Sequence, residues 1–264
     1  MSNSDQIMPA KQMIAFYSGH SSKRVLFVEG KTDHLIMEEL RERIGGTFDI
    51  KMCGGRIALL EVWEALKKYP AKQNQYLFLA DQDHWIFEGI PDEYQNQPSL
   101  IFTAGYCIEN DLYADGEEML NQMLTPKELN WVQASIQTII KWYAFNLDQP
   151  KEDQDLDFNF GNPEKFKIQT ASFDADYLQS ISYQEPDQDN ITSKGLDSVY
   201  QLRLRGKYFF ELYATIFRSR TVAKVPFEVK HLLFICFAIG YPLQNSNIYR
   251  IRVRLSNFFP LPTS

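Results

Sequence analysis

Five carboxylates stand out by type and setting. Glu29 follows the apolar run Val25-Leu26-Phe27-Val28 and precedes Gly30, with Asp33 four residues further on. Asp81 and Asp83 flank Gln82 directly after Leu77-Phe78-Leu79-Ala80, and Glu109 follows Tyr106-Cys107-Ile108. An acid delivered by the end of a buried strand lies where open α/β sheets bind ligands. Two acids one residue apart at such an end project to the same side, which suits a shared hard cation such as Mg2+ or Mn2+. Divalent ions held this way stabilise the attacking and leaving oxygens of phosphoryl transfer. Plainer readings stand beside these: Asp-x-Asp also suits a simple turn, and Asp33 suits a helix N-cap as well as a metal ligand. His84 reads as a substrate contact or as a surface packing residue.

The elements that must position these acids follow from pattern. Four bulky apolar residues in a row suit a central parallel strand covered on both faces. After it, Leu35, Ile36, Leu40 and Ile44 form one side of a helix whose cap is Asp33, closed by Gly45-Gly46. Phe48–Met52 predicts a second strand, Cys53-Gly54-Gly55 a tight turn, and Arg56–Tyr69 a helix with Leu59, Leu60, Trp63 and Leu66 inside, ended by Pro70. The glycine pair can hold a phosphate on its amides with Arg56 helping, or it is only a turn. Gln75–Ala80 and Ser99–Thr103 predict the third and fourth strands. Strands alternating with helices predict a parallel sheet with every one of these acids at the same edge. Residues 1–22 read as a polar lead-in without chemistry, in which Ile14-Ala15-Phe16-Tyr17 can pack against the body.

A mainly helical domain is expected over residues 125–264, after an α/β domain over 1–124. Thr125-Pro126-Lys127-Glu128 is a capping box with proline at the first helical position, and the helix it opens should run to about Phe145 over Leu129, Val132, Ile136, Ile139, Ile140 and Tyr143. Residues 146–195 carry eleven acids against four lysines and read as loops around one short helix, either a partner's docking surface or a solvated excursion. Leu196–Arg220 reads as one long helix. It would place Arg203, Arg205 and Lys207 within about a turn and a half, as a phosphate clamp, an electrophile that steadies a pentavalent phosphate, or a solvated basic turn. Lys207, beside Gly206, is the preferred one of the three. Pro226–Gly240 reads as a buried helix. Ile248–Leu255 alternates apolar and basic residues, which fits a strand or a helix with a basic face.

The net charge of −7 is uneven: from Leu196 onward the chain carries +7, and the residues before it −14. Such asymmetry points to a polyanion or to pairing between the two parts. Cys53, Cys107 and Cys236 are too few and too far apart for a disulfide framework or a zinc cluster, so buried, reduced thiols are expected. No apolar run approaches a membrane span and no signal-peptide pattern is present, so a soluble cytoplasmic protein without a membrane partner is expected. No P-loop and no GxGxxG is present.

Val28-Glu29-Gly30-Lys31-Thr32-Asp33, followed 52 residues after Glu29 by Asp81-Gln82-Asp83, resembles the two motifs of the Toprim fold of topoisomerases, bacterial primases and OLD-family nucleases. The match covers about residues 24–113. Tyr106-Cys107-Ile108-Glu109-Asn110 and the basic, helical second half are similar to one branch, the AriB-type effector nucleases of PARIS anti-phage systems. The resemblance implies a magnesium-dependent nuclease whose metal is bound by Glu29, Asp81 and Asp83; on that enzyme reading Asp33 and Glu109 are further metal ligands, and Glu29, Asp81, Asp83 and Lys207 act in catalysis. Lys31, Arg56, Arg203, Arg205 and Lys207 would contact nucleic acid. It further implies a homodimer that cuts RNA, with transfer RNA the expected substrate, after release from an ABC-type ATPase. An OLD-like DNA-nicking nuclease and a catalytically silent binding subunit are the alternatives.

Overall fold

The computed structural model describes residues 7–19, 23–69, 72, 74–151, 154, 156, 158, 162, 164–167, 170–220 and 227–259. Pro70, Lys224, Pro226, both ends of the lead-in and several acids of the 146–195 stretch lie outside the described residues. Packing divides the chain into a unit of Met1–Ile108 with Gly240–Ser264 and a unit of Glu109–Ile239.

The first unit is built on four strands: β1 (Val25–Val28), β2 (Asp49–Met52), β3 (Tyr76–Ala80) and β4 (Leu100–Phe102). They run parallel in the order β2-β1-β3-β4, so the two strands that deliver Glu29 and Asp81 are neighbours at the centre. Every residue of β1 and β3 is buried, as continuous apolar runs require when helices cover both faces. The helices of this unit are α1 (Ala10–Gly19), α2 (Lys31–Ile44), α3 (Arg56–Leu66), the single turn α4 (Trp85–Glu88) and, returning from the far end of the chain, a helix at Asn247–Phe258. Phe27 and Phe78 stack at 4.7 Å across β1 and β3, and Leu59, Trp63 and Leu66 of α3 share their cluster.

The structure adds a helix to the lead-in, corrects two expectations for α2 and decides one open reading. The lead-in contains a helix: α1 buries Met13 and Tyr17, and the Tyr17 carbonyl accepts the Tyr76 hydroxyl at 2.8 Å. On α2 the buried side is Asp33, Ile36, Met37 and Leu40, while Leu35 is exposed. The cap of α2 is Gly30 and not Asp33; Asp33 is the third helical residue, and its carboxylate accepts the Gly30 N–H at 2.9 Å. The Ile248–Leu255 stretch is helical because Ser246 caps it at Tyr249 N–H and because Ile248, Ile251 and Leu255 bury one stripe.

The second unit opens with α5 (Ile108–Gln122, whose first residue belongs to the first unit) and continues through α6 (Pro126–Leu147), a two-residue hairpin β5 (Phe166–Lys167) and β6 (Ser172–Phe173), then α7 (Ala175–Ser180), α8 (Gln188–Ser193), α9 (Tyr200–Arg203), α10 (Gly206–Arg220) and α11 (Val229–Gly240). The Asn247–Phe258 helix of the first unit is α12. The capping box of α6 forms as expected: Glu128 N–H reaches the Thr125 hydroxyl at 3.4 Å, and Thr125 N–H reaches Glu128 at 2.8 Å. The described residues of 146–195 include two short helices and the hairpin where one short helix was expected.

The predicted helix over Leu196–Arg220 is broken at Leu204-Arg205. The cause lies far away in sequence. The Asn110 side chain donates to the carbonyls of Gln201 and Leu204, each at 2.6 Å, and accepts the Gly206 N–H at 3.0 Å. The three backbone groups at the break are therefore satisfied by one buried amide instead of by a continuing helix. A β-carbon on Gly206 would lie 2.7 Å from both Asn110 N and Glu109 Cβ, so only glycine lets the two segments meet. Among the described residues no helix is long and apolar enough to cross a membrane, and Cys53, Cys107 and Cys236 are buried and form no disulfide.

Candidate carboxylate site

Glu29 leaves the end of β1 buried, 9% exposed, and its carboxylate accepts the Asp81 N–H at 2.8 Å. Parallel register brings this about: Val28 pairs with Leu79, so the residues just beyond both strands meet. The Glu29 carbonyl takes the N–H groups of Gly54 at 2.9 Å and Gly55 at 3.0 Å. These amides therefore brace Glu29 and are not an open phosphate cradle, which favours the plain turn of the two readings; their φ angles of 86° and 116° explain why both residues are glycine.

Asp81 accepts the Ile108 N–H at 3.1 Å. Asp83 holds a left-handed φ of 46°, tolerated by aspartate, and its N–H reaches the Tyr106 carbonyl at 2.8 Å. Its carboxylate meets Arg56 at 3.4 Å. Arg56 also donates to the Gln82 carbonyl at 2.7 Å and lies 4.3 Å from the centre of the Trp85 ring. It acts as a brace on the Asp81–Asp83 turn.

Burial raises the Glu29 carboxyl to about 8; the Asp81 N–H works against this, and the charges on Asp83 and Asp33 add to it, with Arg56 opposing. Too many acids for the available positive charge is a setting that a hard divalent cation relieves. The all-oxygen donor set of Glu29, Asp33, Asp81 and Asp83 fits such an ion in kind. In their present rotamers these acids point at protein donors: Asp33 at Gly30, Asp81 at Ile108, Asp83 at Arg56. Accordingly, among the described residues no three His, Cys, Asp or Glu side chains gather closely enough to hold an ion.

The structure thus places Asp81, Asp83, Asp33 and Arg56 within electrostatic reach of Glu29, without gathering three of the acids at ion-binding distance among the described residues. Lys31, the first residue of α2, is exposed and forms no ion pair among the described residues. Glu109, Arg203, Arg205 and Lys207 belong to the second unit. Glu109 lies buried in the first turn of α5, where its Cβ packs against Gly206, the residue before Lys207. Arg203 is committed to the Lys194 carbonyl at 2.6 Å and packs over Gly195; Arg205 is half-buried in the break, and Lys207 is exposed. The expected compact clamp of three cations on one helix is therefore not formed.

Two residues of the site escaped the sequence pattern. Gln82, the middle of Asp-x-Asp, donates its amide to the carbonyls of Thr103 at 2.7 Å and Ala104 at 3.1 Å, tying the catalytic-looking turn to the end of β4. Thr103 accepts the Gln82 N–H at 3.3 Å and donates to the Gly105 carbonyl. No local spacing announces these contacts, which span some 21 residues. No protein-family model matches this chain, and no curated protein matches it.

Proposed function

We propose that the chain is a Mg2+- or Mn2+-dependent phosphodiesterase that cuts nucleic acid, with Glu29 at the centre of its site. The observation that carries this reading is the buried Glu29 carboxylate at the end of the central strand, bonded to Asp81 N–H and facing the charges of Asp83 and Asp33. Glu29, Asp81 and Asp83 would hold the ion, with Asp33 and Glu109 as further candidates. A bound divalent ion would neutralise this edge and supply the positive charge that phosphodiester cleavage needs. Relieved of its proton, Glu29 orients a water or holds its proton; the Glu29 carbonyl fixes the glycine turn, and Arg56 keeps Asp83 in place. Exposed Lys31 and Lys207 serve as phosphate contacts.

By its resemblance the proposal extends to RNA, with transfer RNA as the expected substrate, to an ABC-type ATPase that restrains the enzyme, and to an active homodimer in anti-phage defence. A second reading, a catalytically silent binding subunit, is favoured by the engagement of Asp33, Asp81 and Asp83 with protein donors. Manganese titration followed by electron paramagnetic resonance separates the two. The enzyme reading expects wild-type protein to bind Mn2+ and Glu29→Gln to lose at least tenfold in affinity; equal Mn2+ affinity in both proteins removes Glu29 from the site.

A further inference from the structure

An open groove of about 850 Å³ runs along β4 in the first unit, and Gln82, from the middle of the carboxylate turn, forms part of its wall. Among the described residues its only charged lining groups are Arg250 and Arg254, one helical turn apart on α12 and both exposed. In a chain of net charge −7, a groove whose charge is entirely positive selects an anionic occupant. Each guanidinium is oriented by a backbone carbonyl of the β4 segment, Arg250 by Phe102 at 2.9 Å and Arg254 by Pro98 at 3.5 Å. Arginine's five N–H donors suit phosphate oxygens in this fixed setting.

The rest of the lining is apolar and amide. Trp85 has Arg56 over its ring at 4.3 Å and Tyr94 stacked with it at 5.4 Å, so it lends the groove an apolar wall and not an open stacking platform. Asn96, exposed and held at a φ of 56°, presents a side-chain amide with no protein partner among the described residues. Two exposed arginines, an apolar wall and a free amide suit the chemistry of a nucleotide. The volume falls within the range of small-ligand pockets and takes about one or two nucleotides, too few for a duplex.

We infer that this groove is a subsite for single-stranded nucleic acid, in which Arg250 and Arg254 hold the backbone phosphates and Asn96 meets a base edge beside the Asp81–Asp83 turn. The inference rests on the nucleic-acid reading of the carboxylate site and names where its substrate strand lies. Fluorescence anisotropy of a labelled single-stranded RNA oligonucleotide, with EDTA present so that nothing is cut, tests it on the full chain. Arg250→Glu with Arg254→Glu should weaken binding at least tenfold. The milder Arg250→Gln with Arg254→Gln should reduce the slope of log affinity against log salt by about 1.4, two phosphate contacts' worth. Circular dichroism checks that both variants fold, and the glutamine pair keeps the test alive if the glutamate pair does not.

Unchanged affinity and salt slope in a folded glutamine pair overturn the inference, as does a duplex or a polyglutamate peptide that binds more tightly than the single strand. If wild-type protein binds the strand through the arginines but never cleaves it with magnesium, the groove stands and the carboxylate reading falls. If cleavage needs Glu29 while the arginine pair affects nothing, the groove falls and the carboxylate reading stands.

Discussion

The acidic edge of the first unit and the basic 203–207 stretch of the second are fixed by opposite kinds of information. At the acidic edge the positions of Glu29, Asp81 and Asp83 follow from two buried strands in parallel register; the Glu29 and Asp81 side chains are then tied to backbone donors and that of Asp83 to Arg56. In the basic stretch, local helical pattern is overridden by Asn110, which draws the backbone of Gln201, Leu204 and Gly206 out of a single helix. A buried strand announces its own end, whereas a helix break made by a side chain some 91–96 residues away does not.

The sharpest way to break this contrast is Gly206→Ala. A methyl group 2.7 Å from Asn110 N and Glu109 Cβ has nowhere to go, and a loss of about 3 kcal/mol in urea unfolding is expected. An unaltered midpoint would show that the break is not held by close approach. Asn110→Ala leaves two carbonyls and one N–H at the break without their partner, and about 2 kcal/mol should be lost.

At the acidic edge the expected effect has the other sign. The Glu29 carboxyl is raised to about 8 from the 4.5 of a free side chain. A raised acid takes up a proton on folding, so its contribution to stability is full below about pH 4.5 and is lost as pH climbs through about 8. In EDTA, wild-type stability should therefore fall across that window, and Glu29→Gln should flatten the fall; thermal melts between pH 5 and 9 measure it, and parallel curves for both proteins would count against a buried, charge-crowded Glu29.

Asp33 sets a smaller test of the same edge. Asp33→Ala removes the acceptor of the Gly30 N–H and should cost about 1 kcal/mol, while Asp33→Asn can keep that bond. If Asp33 is also a ligand, the asparagine variant keeps its stability yet loses Mn2+ affinity; if it is only the cap partner, both stay near wild type. Smallest of all, Lys207→Ala on an exposed position should leave stability within about 0.5 kcal/mol, so that any fall in cleavage reports on substrate contact.

What was legible in the sequence follows the same division. The four strands, their parallel order of succession, the α3 stripe of Leu59, Leu60, Trp63 and Leu66, and the Thr125–Glu128 box depend on residues within a few positions of one another, and all are present. The pairing of Glu29 with Asp81 was legible only as a shared sheet edge; the bond itself needs the strand register. What stayed hidden was long-range: the Gly54-Gly55 amides spent on the Glu29 carbonyl, Gln82 tied to Thr103, and the Asn110 clasp. The helix α1 was missed because it is short and buries little beyond Met13 and Tyr17. The Ile248–Leu255 alternation left strand and helix open because its arginines fall on two sides of a helix, Arg250 and Arg254 toward β4 and Arg252 over the rings of Tyr241 and Tyr249.

The most direct test of the central claim is cleavage itself. Purified protein is incubated with Mg2+ and, in separate reactions, transfer RNA, supercoiled DNA and linear DNA, each with wild type and Glu29→Ala compared. Magnesium-dependent cutting of transfer RNA by wild type, lost at least a hundredfold in a folded Glu29→Ala, is the result expected; cutting undiminished in that variant would contradict the account.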